Sequence, residues 1–302
     1  MDEVEGHSLT STRISLSAIA KQFRWHQWVK NALVFLPLIL AHRVTDTALW
    51  LHALTSFVSF SALASMVYVL NDIVDIEHDR AHPTKRHRPL VSGAITLPYA
   101  YGGVVLLAGI WLSTCSWLPK SFFLVTVFYL TLNVAYSMAL KRMVILDVVT
   151  LAIFYNLRIL AGGLATEVPV SSWLMAFSTF FFFGLAMVKR FTELLRHPGG
   201  TTKRGRAYQP EDIEIIRSLG VGSSLLSVLV LTLYFNSPEV RVLYRRYEAL
   251  WLLTPLLVYW IARLWVLAQR DDMHDDPIVW AVRDPSTWIT GAAVLAVLYA
   301  AS

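Results

Sequence analysis

The sequence predicts an all-α, polytopic membrane protein with nine transmembrane helices. Three observations carry that reading: 56% of the 302 residues are apolar and 16% charged, the mean hydropathy is +0.52, and apolar runs of membrane-spanning length recur between stretches of polar residues. Soluble domains run nearer half apolar and a quarter charged. With 14 Gly, 12 Pro and 1 Cys, the composition excludes collagen, disorder and a disulfide scaffold. The net charge of +5 is small, but the basic residues cluster. A basic face beside lipid suits anionic headgroups or phosphorylated substrates better than nucleic acid, and no nucleic-acid partner is expected.

A hydrocarbon core about 30 Å thick needs about 20 mostly apolar residues per helix. Such runs fall at 31–48, 50–70, 98–116, 121–140, 146–166, 170–188, 214–236, 249–268 and 286–301. The first is interrupted by Pro37, the seventh contains Arg217 and the last is short. The opening MDEVEGH is acidic where a signal peptide is basic, so no cleaved signal is expected. Residues 14–29 mix apolar side chains with Lys21, Arg24 and two tryptophans, which fits an interfacial or a soluble helix. The chain reads as one membrane domain over 1–302, with 1–30 a cytoplasmic or interfacial segment. With the N-terminus inside, the cytoplasmic segments hold eighteen Lys and Arg against five outside. That bias predicts an inside N-terminus, an outside C-terminus and cytoplasmic long loops, 71–97 and 189–213; the expected location is the inner membrane, with the active site facing the cytoplasm.

The first of those loops carries the chemistry. Asn71 to Gly93 reads NDIVDIEHDRAHPTKRHRPLVSG. If the second helix continues out of the bilayer, Asn71, Asp75 and Asp79 share one face at i, i+4 and i+8, with Asp72 three residues before Asp75. Three carboxylates and an amide repel one another unless a cation sits among them, and oxygen-only ligands favour Mg²⁺. The plain alternative is a solvated acidic helix end. Lys85, Arg86 and Arg88 follow within ten residues, placing phosphate-binding bases beside metal-ligating acids. Together they read as a diphosphate site.

The pattern NDxxDxxxD followed by HPxKxxRPLxSG resembles the first aspartate motif of the UbiA superfamily of intramembrane prenyltransferases. RWHQWVKNALVFLPL (24–38), YSMALKRMVILDVVTLAIFYNLRILAGGLAT (136–166), SSWLMAF (171–177), KRFTEL (189–194) and DPIVWAVRDPST (276–287) extend the resemblance over almost the whole chain. It is nearest the decaprenyl-phosphate phosphoribosyltransferase branch. The resemblance implies nine helices around a central cavity open to the cytoplasm and to lipid, with Mg²⁺ as cofactor and loss of diphosphate from the donor. The donor and acceptor it implies are phosphoribosyl diphosphate and a polyprenyl phosphate lipid.

Aromatic prenyltransferases of the superfamily usually carry a second aspartate-rich motif after the sixth helix. Here the segment is KRFTELLRHPGG, Glu193 is the only acid from 189 to 210, and the loop holds six Lys or Arg. Positive charge in place of negative suits a site that holds extra anions. A prenyltransferase acting on an aromatic acceptor such as 4-hydroxybenzoate remains the competing enzyme reading, and an ion-using transporter or lipid-binding protein the competing class.

The expected catalytic residues are Asp72, Asp75 and Asp79, with Asn71 completing the metal ligands. The expected substrate contacts are Lys30, Asn71, Lys85, Arg88, Tyr136, Lys141, Arg158, Lys189, Arg190 and Glu193. Several have a second reading. Arg158 lies inside the fifth span, where a charge is costly, and either faces substrate or bonds a neighbouring carbonyl or Asp147. Lys141 has the reach to snorkel, and Lys189 and Arg190 fit equally as positive-inside anchors. His78, His82 and His87 lack zinc-type spacing, the eleven Trp read mostly as interface anchors, and Asp271, Asp272 and Asp275 read as an acidic loop.

Overall fold

A computed structural model describes residues 15–80, 85–196, 208–273 and 276–302, and those residues form helices and the turns between them, with no strand among them. The helices in order are α1 (Leu16–Gln22), a 3₁₀ helix (Trp25–Phe35), α2 (Leu36–Leu40), α3 (Thr47–Val74), α4 (Ile76–Arg80), α5 (Leu97–Cys115), α6 (Lys120–Met138) and α7 (Leu146–Thr166). There follow α8 (Ser172–Leu195), α9 (Ile213–Phe235), α10 (Pro238–Leu243), α11 (Leu253–Gln269), α12 (Pro277–Arg283) and α13 (Pro285–Ala301). Among the described residues seven helical stretches are long and apolar enough to cross a membrane, α11 only together with the 3₁₀ stretch Tyr247–Leu252 that precedes it, and α13 is a shorter apolar helix.

The run expected as one helix over 31–48 is not one. The chain there is a 3₁₀ helix to Phe35, the five-residue α2, and a non-helical turn before α3. Pro37 is the physical reason at α2, since it lacks an N–H and is tolerated only in a helix's first turn. At the far side Asp46 ends the turn by accepting from the Ala48 and Leu49 amides, which starts α3 at Thr47.

At 28 residues α3 rises about 42 Å, more than the hydrocarbon thickness, and its C-terminal turn carries Asn71 and Asp72. The interior is built on α7, which packs against α3, α6, α8 and the 3₁₀ helix. Small residues set the closeness: a methyl added at Gly162 would overlap the Val34 carbonyl, and one at Gly184 would overlap the Ser224 hydroxyl of α9. On the face of α7 turned away from Arg158, a largely apolar cleft of about 450 Å³ opens between α7, α8 and α9.

Candidate active site

The hydrogen-bond ladder bends without breaking where α3 meets α4: the Asp75 amide donates to the Asn71 carbonyl at 2.9 Å, and the Asp79 amide to the Asp75 carbonyl at 2.8 Å. The acids that converge are Asp72 and Asp79. Arg88 Nη1 donates to Asp72 Oδ1 at 2.8 Å and also to Asp79 Oδ2. Arg24 Nη2 donates to the same Asp72 oxygen at 2.7 Å, Gln22 Nε2 to Asp72 Oδ2 at 3.2 Å, and Lys85 pairs with Asp79 at 3.3 Å. Both carboxylates are buried beneath partly exposed cations.

The expected face of Asn71, Asp75 and Asp79 is therefore replaced by one that carries Asp72 and Asp79. Seven residues turn a helix by nearly two full circles, within about 20° of register. Asp75 instead caps the end of α3, half-buried, and Asn71 accepts from the Ser137 hydroxyl at 3.1 Å. Among the described residues no three His, Cys, Asp or Glu gather as a metal cluster.

The donor set nonetheless fits Mg²⁺. One guanidinium nitrogen touches an oxygen of each acid, so the two carboxylates face the same point. Hard oxygen donors, with coordination left open for water and phosphate, are what Mg²⁺ takes. Arg88 supplies the positive charge between the two acids in this structure.

A second ionic group forms from three distant segments. Lys30 of the 3₁₀ helix and Lys189 of α8 both donate to Asp276 Oδ2, at 2.9 and 3.1 Å. Asp276 Oδ1 accepts from the Ile278 amide at 3.2 Å and so caps α12. Burial opposes the charge on Asp276, but Lys189 and Lys30 prevail and hold its carboxyl well below the usual carboxylate range. The Lys30 ammonium also lies 5.9 Å from the centre of the Tyr155 ring.

Two arginines are buried in the bundle. Arg158 donates from Nε to Asn31 Oδ1 at 2.8 Å, from Nη1 to the Phe154 carbonyl at 2.5 Å and from Nη2 to the Tyr129 hydroxyl at 3.0 Å. It also faces the rings of Phe60, Tyr129 and Tyr155. The carbonyl partnership is the one observed, while Asp147 goes to Arg190: Arg190 Nε donates to Asp147 Oδ2 at 2.7 Å, Nη1 to Glu193 at 2.7 Å and Nη2 to the Tyr136 hydroxyl at 3.3 Å. Tyr208 donates to Asp147 Oδ1 at 2.5 Å and accepts from the Ile145 amide at 3.0 Å. Burial and then the Asp147 carboxylate push the Tyr208 phenol above its ordinary range.

Tyr136, Arg190 and Glu193 thus belong to one network, and Lys141 stands half-buried in the short 3₁₀ turn Leu140–Arg142 after α6. His78 and His87 are exposed, as are Asp271 and Asp272, while His82 and Asp275 fall outside the described residues. Gln22, Arg24, Asn31 and Tyr155 were not expected at the site. The segment RWHQWVK held the one available signal, an arginine just ahead of an apolar run; a tyrosine inside an apolar helix carries none.

An α-helical membrane domain with paired acids and phosphate-type bases at one end of its bundle defines the class, a polytopic membrane transferase. The chain belongs to the UbiA prenyltransferase family, whose pattern matches residues 32–289. It is 36% identical to the protein y4nM of Sinorhizobium fredii over 90% of this chain, spanning about half (54%) of that relative's length. It is 33% identical to the nodulation protein NoeC of Azorhizobium caulinodans, over 92% of this chain and 91% of that protein. It is 36% identical to decaprenyl-phosphate phosphoribosyltransferase of Mycobacterium tuberculosis over 59% of this chain and 61% of the enzyme. The fold is shared with a UbiA homologue from Archaeoglobus fulgidus bound to DMAPP and Mg²⁺, at a TM-score of 0.68 and 16% identity, covering 93% of this chain and 98% of that one.

Proposed function

We propose that the protein transfers a 5-phosphoribosyl group from phosphoribosyl diphosphate to the phosphate of a polyprenyl lipid of the decaprenyl type, releasing diphosphate. The observation that carries this reading is the chemistry of the last turns of α8. A prenyl diphosphate needs one anion site, because the rest of the donor is hydrocarbon. Here the only acid of 189–210, Glu193, is engaged by Arg190, and Lys189 joins Lys30 in a separate basic group. Two basic groups suit a donor with a phosphate at each end, and the partial likeness to decaprenyl-phosphate phosphoribosyltransferases supports the same reading.

In this mechanism Asp72 and Asp79 would hold Mg²⁺, with Asp75 and Asn71 beside them. Bound there, the metal would neutralise the charge that develops on the departing diphosphate. Arg88, Lys85 and Arg24, freed from the acids, donate to diphosphate oxygens. Lys30 and Lys189 take the 5-phosphate. The bond from ribose C1 to the diphosphate oxygen breaks with its electron pair leaving on the diphosphate, and an oxygen of the acceptor phosphate forms the new bond to C1. The acceptor is already ionised, so no strong general base is required. Arg158, with only neutral hydrogen-bond partners among the described residues, adds positive potential beneath the anions, and Tyr155, Tyr129 and Phe60 exclude water around it. Arg190 positions Tyr136 and Glu193, and we assign Lys141, in the turn that follows α6, to the same substrate surface.

We also take the active site to face the cytoplasm across an inner membrane, on the eighteen-to-five distribution of Lys and Arg. Nine crossings around a central cavity complete that picture. The 3₁₀ helix with α2 rises about 30 Å, since 3₁₀ residues advance about 2.0 Å each, and α13 supplies the ninth. Cysteines placed at Arg142 and Tyr247 test the orientation: only the latter should react with an impermeant reagent from the outer side, and the reverse pattern would invert the topology. The function itself is tested with the purified chain in detergent, labelled phosphoribosyl diphosphate and a polyprenyl phosphate. Mg²⁺-dependent label in the lipid together with released diphosphate is expected. Turnover of a polyprenyl diphosphate with 4-hydroxybenzoate, and none of phosphoribosyl diphosphate, would replace this reading by the aromatic one.

A further inference from the structure

The group of Lys30, Lys189 and Asp276 contains something that phosphate binding does not require, a carboxylate of its own. Both lysines touch the same oxygen, Asp276 Oδ2, at 2.9 and 3.1 Å, so their ammonium groups stand at most about 6 Å apart and can hold two oxygens of one phosphate. A carboxylate about 5 Å from a phosphate, at an effective dielectric of about 20, repels it by more than the rotamer entropy saved in tethering one lysine. On balance Asp276 weakens this group as an anion receptor.

Its location supplies the reason for keeping it. Lys189 lies six residues before the end of a membrane-crossing helix, about 9 Å along the axis, with a third of its side chain exposed. At that level lipid phosphodiester headgroups, some singly anionic, are the most concentrated phosphates. Two lysines alone would present +2 and hold such headgroups. With Asp276 the group presents +1, and a doubly charged monoester then experiences the attraction that the bare pair would offer a single charge. We propose that Asp276 is a specificity-determining residue that keeps this subsite clear of anionic lipid headgroups, so that it stays open to a phosphate monoester. The monoester half rests on the phosphoribosyl reading above, and the lipid half does not.

The test is Asp276→Asn in the full chain. Asparagine caps a helix as well as aspartate does, so α12 keeps its partner for the Ile278 amide while the charge is lost. Wild type and variant are placed in nanodiscs of phosphatidylcholine alone or with about one-third phosphatidylglycerol, and titrated with ribose 5-phosphate. In phosphatidylcholine the variant should bind ribose 5-phosphate about tenfold tighter than wild type, a factor equal to about 1.4 kcal/mol. Adding phosphatidylglycerol should weaken the variant about tenfold and the wild type less than about threefold. Native mass spectrometry of protein from the mixed discs should find additional retained phosphatidylglycerol on Asp276→Asn, and none on Asp276→Asn combined with Lys189→Gln, which restores the charge balance. A variant that binds ribose 5-phosphate more weakly in phosphatidylcholine, or that gains no lipid, overturns the proposal and leaves Asp276 an orienting residue for the lysines. A wild type that fails to bind ribose 5-phosphate in either lipid overturns the monoester half and the phosphoribosyl reading, while the lipid count still decides the exclusion.

Discussion

The two ionic groups are near inversions of one another. Around Asp72 and Asp79, two buried carboxylates are held by three partly exposed cations from a short stretch of chain and from the N-terminal segment. Around Asp276, one carboxylate holds two lysines that come from positions 30 and 189. Each group carries a formal charge of +1, yet they offer opposite chemistry. The first has buried oxygens that a metal can claim once the cations move to phosphate. The second has ammonium groups that a phosphate can share without a metal. Net charge therefore does not distinguish them; the ratio of acids to bases and the depth of the acids do, two carboxylates at 3% and 1% exposure against one at 13%.

The largest effect that could break this comparison is on turnover. Asp72→Asn and Asp79→Asn should each lower kcat by at least about 10², the scale of one lost electrostatic stabiliser at about 2.7–4 kcal/mol. Near-normal steady-state rates in both variants with Mg²⁺ present would remove the metal role from the first group.

Next in size is a stability effect. Arg88→Ala leaves two buried carboxylates without their shared cation, and removing one partner of a buried pair is costly. The variant should melt below wild type, and Mg²⁺ should recover several degrees of its Tm while moving wild type much less. Equal Mg²⁺ responses in both proteins would mean that Arg88 and the metal do not compete for the same oxygens.

A smaller change is expected at the second group. Lys30→Ala and Lys189→Ala should raise KM for phosphoribosyl diphosphate, by about tenfold or about 1.4 kcal/mol in at least one of them, with kcat changed less. A drop in kcat of the size expected for Asp72→Asn would erase the division of labour between the groups.

The smallest effect is in acid. The folded-state pKa of Asp276 is depressed, so its pairing contributes stability above its unfolded pKa near 4, and that contribution is lost as pH falls through the lower folded value. The Tm difference between wild type and Asp276→Asn should stay constant from pH 7 to about 5 and shrink only below about 4. A difference already fading at pH 6 would show that the lysines do not hold this carboxylate ionised.

Much of the fold was legible in the sequence. The run at 98–116 is α5, Leu97–Cys115, and the run at 146–166 is α7, Leu146–Thr166. Spans of this kind are readable because hydrocarbon thickness demands a minimum apolar length, a purely local property. The association of Asp72 and Asp79 with Lys85 and Arg88 was legible too, since all four lie within seventeen residues of chain. The chain from 31 to 48 departs from the single helix its hydropathy predicts, because an apolar run reports burial and says nothing of helix type.

What the sequence by itself determined about this protein is a many-helix membrane chain of the UbiA kind, with acids and bases concentrated at one set of helix ends. Which charge meets which was decided by tertiary structure alone. Asp147 goes to Arg190 on the next helix and not to Arg158 on its own. Asp276 reaches Lys30 across 246 residues of chain. An ion pair forms wherever packed helices bring its partners within about 3 Å, and no periodicity along a chain encodes the order in which helices pack.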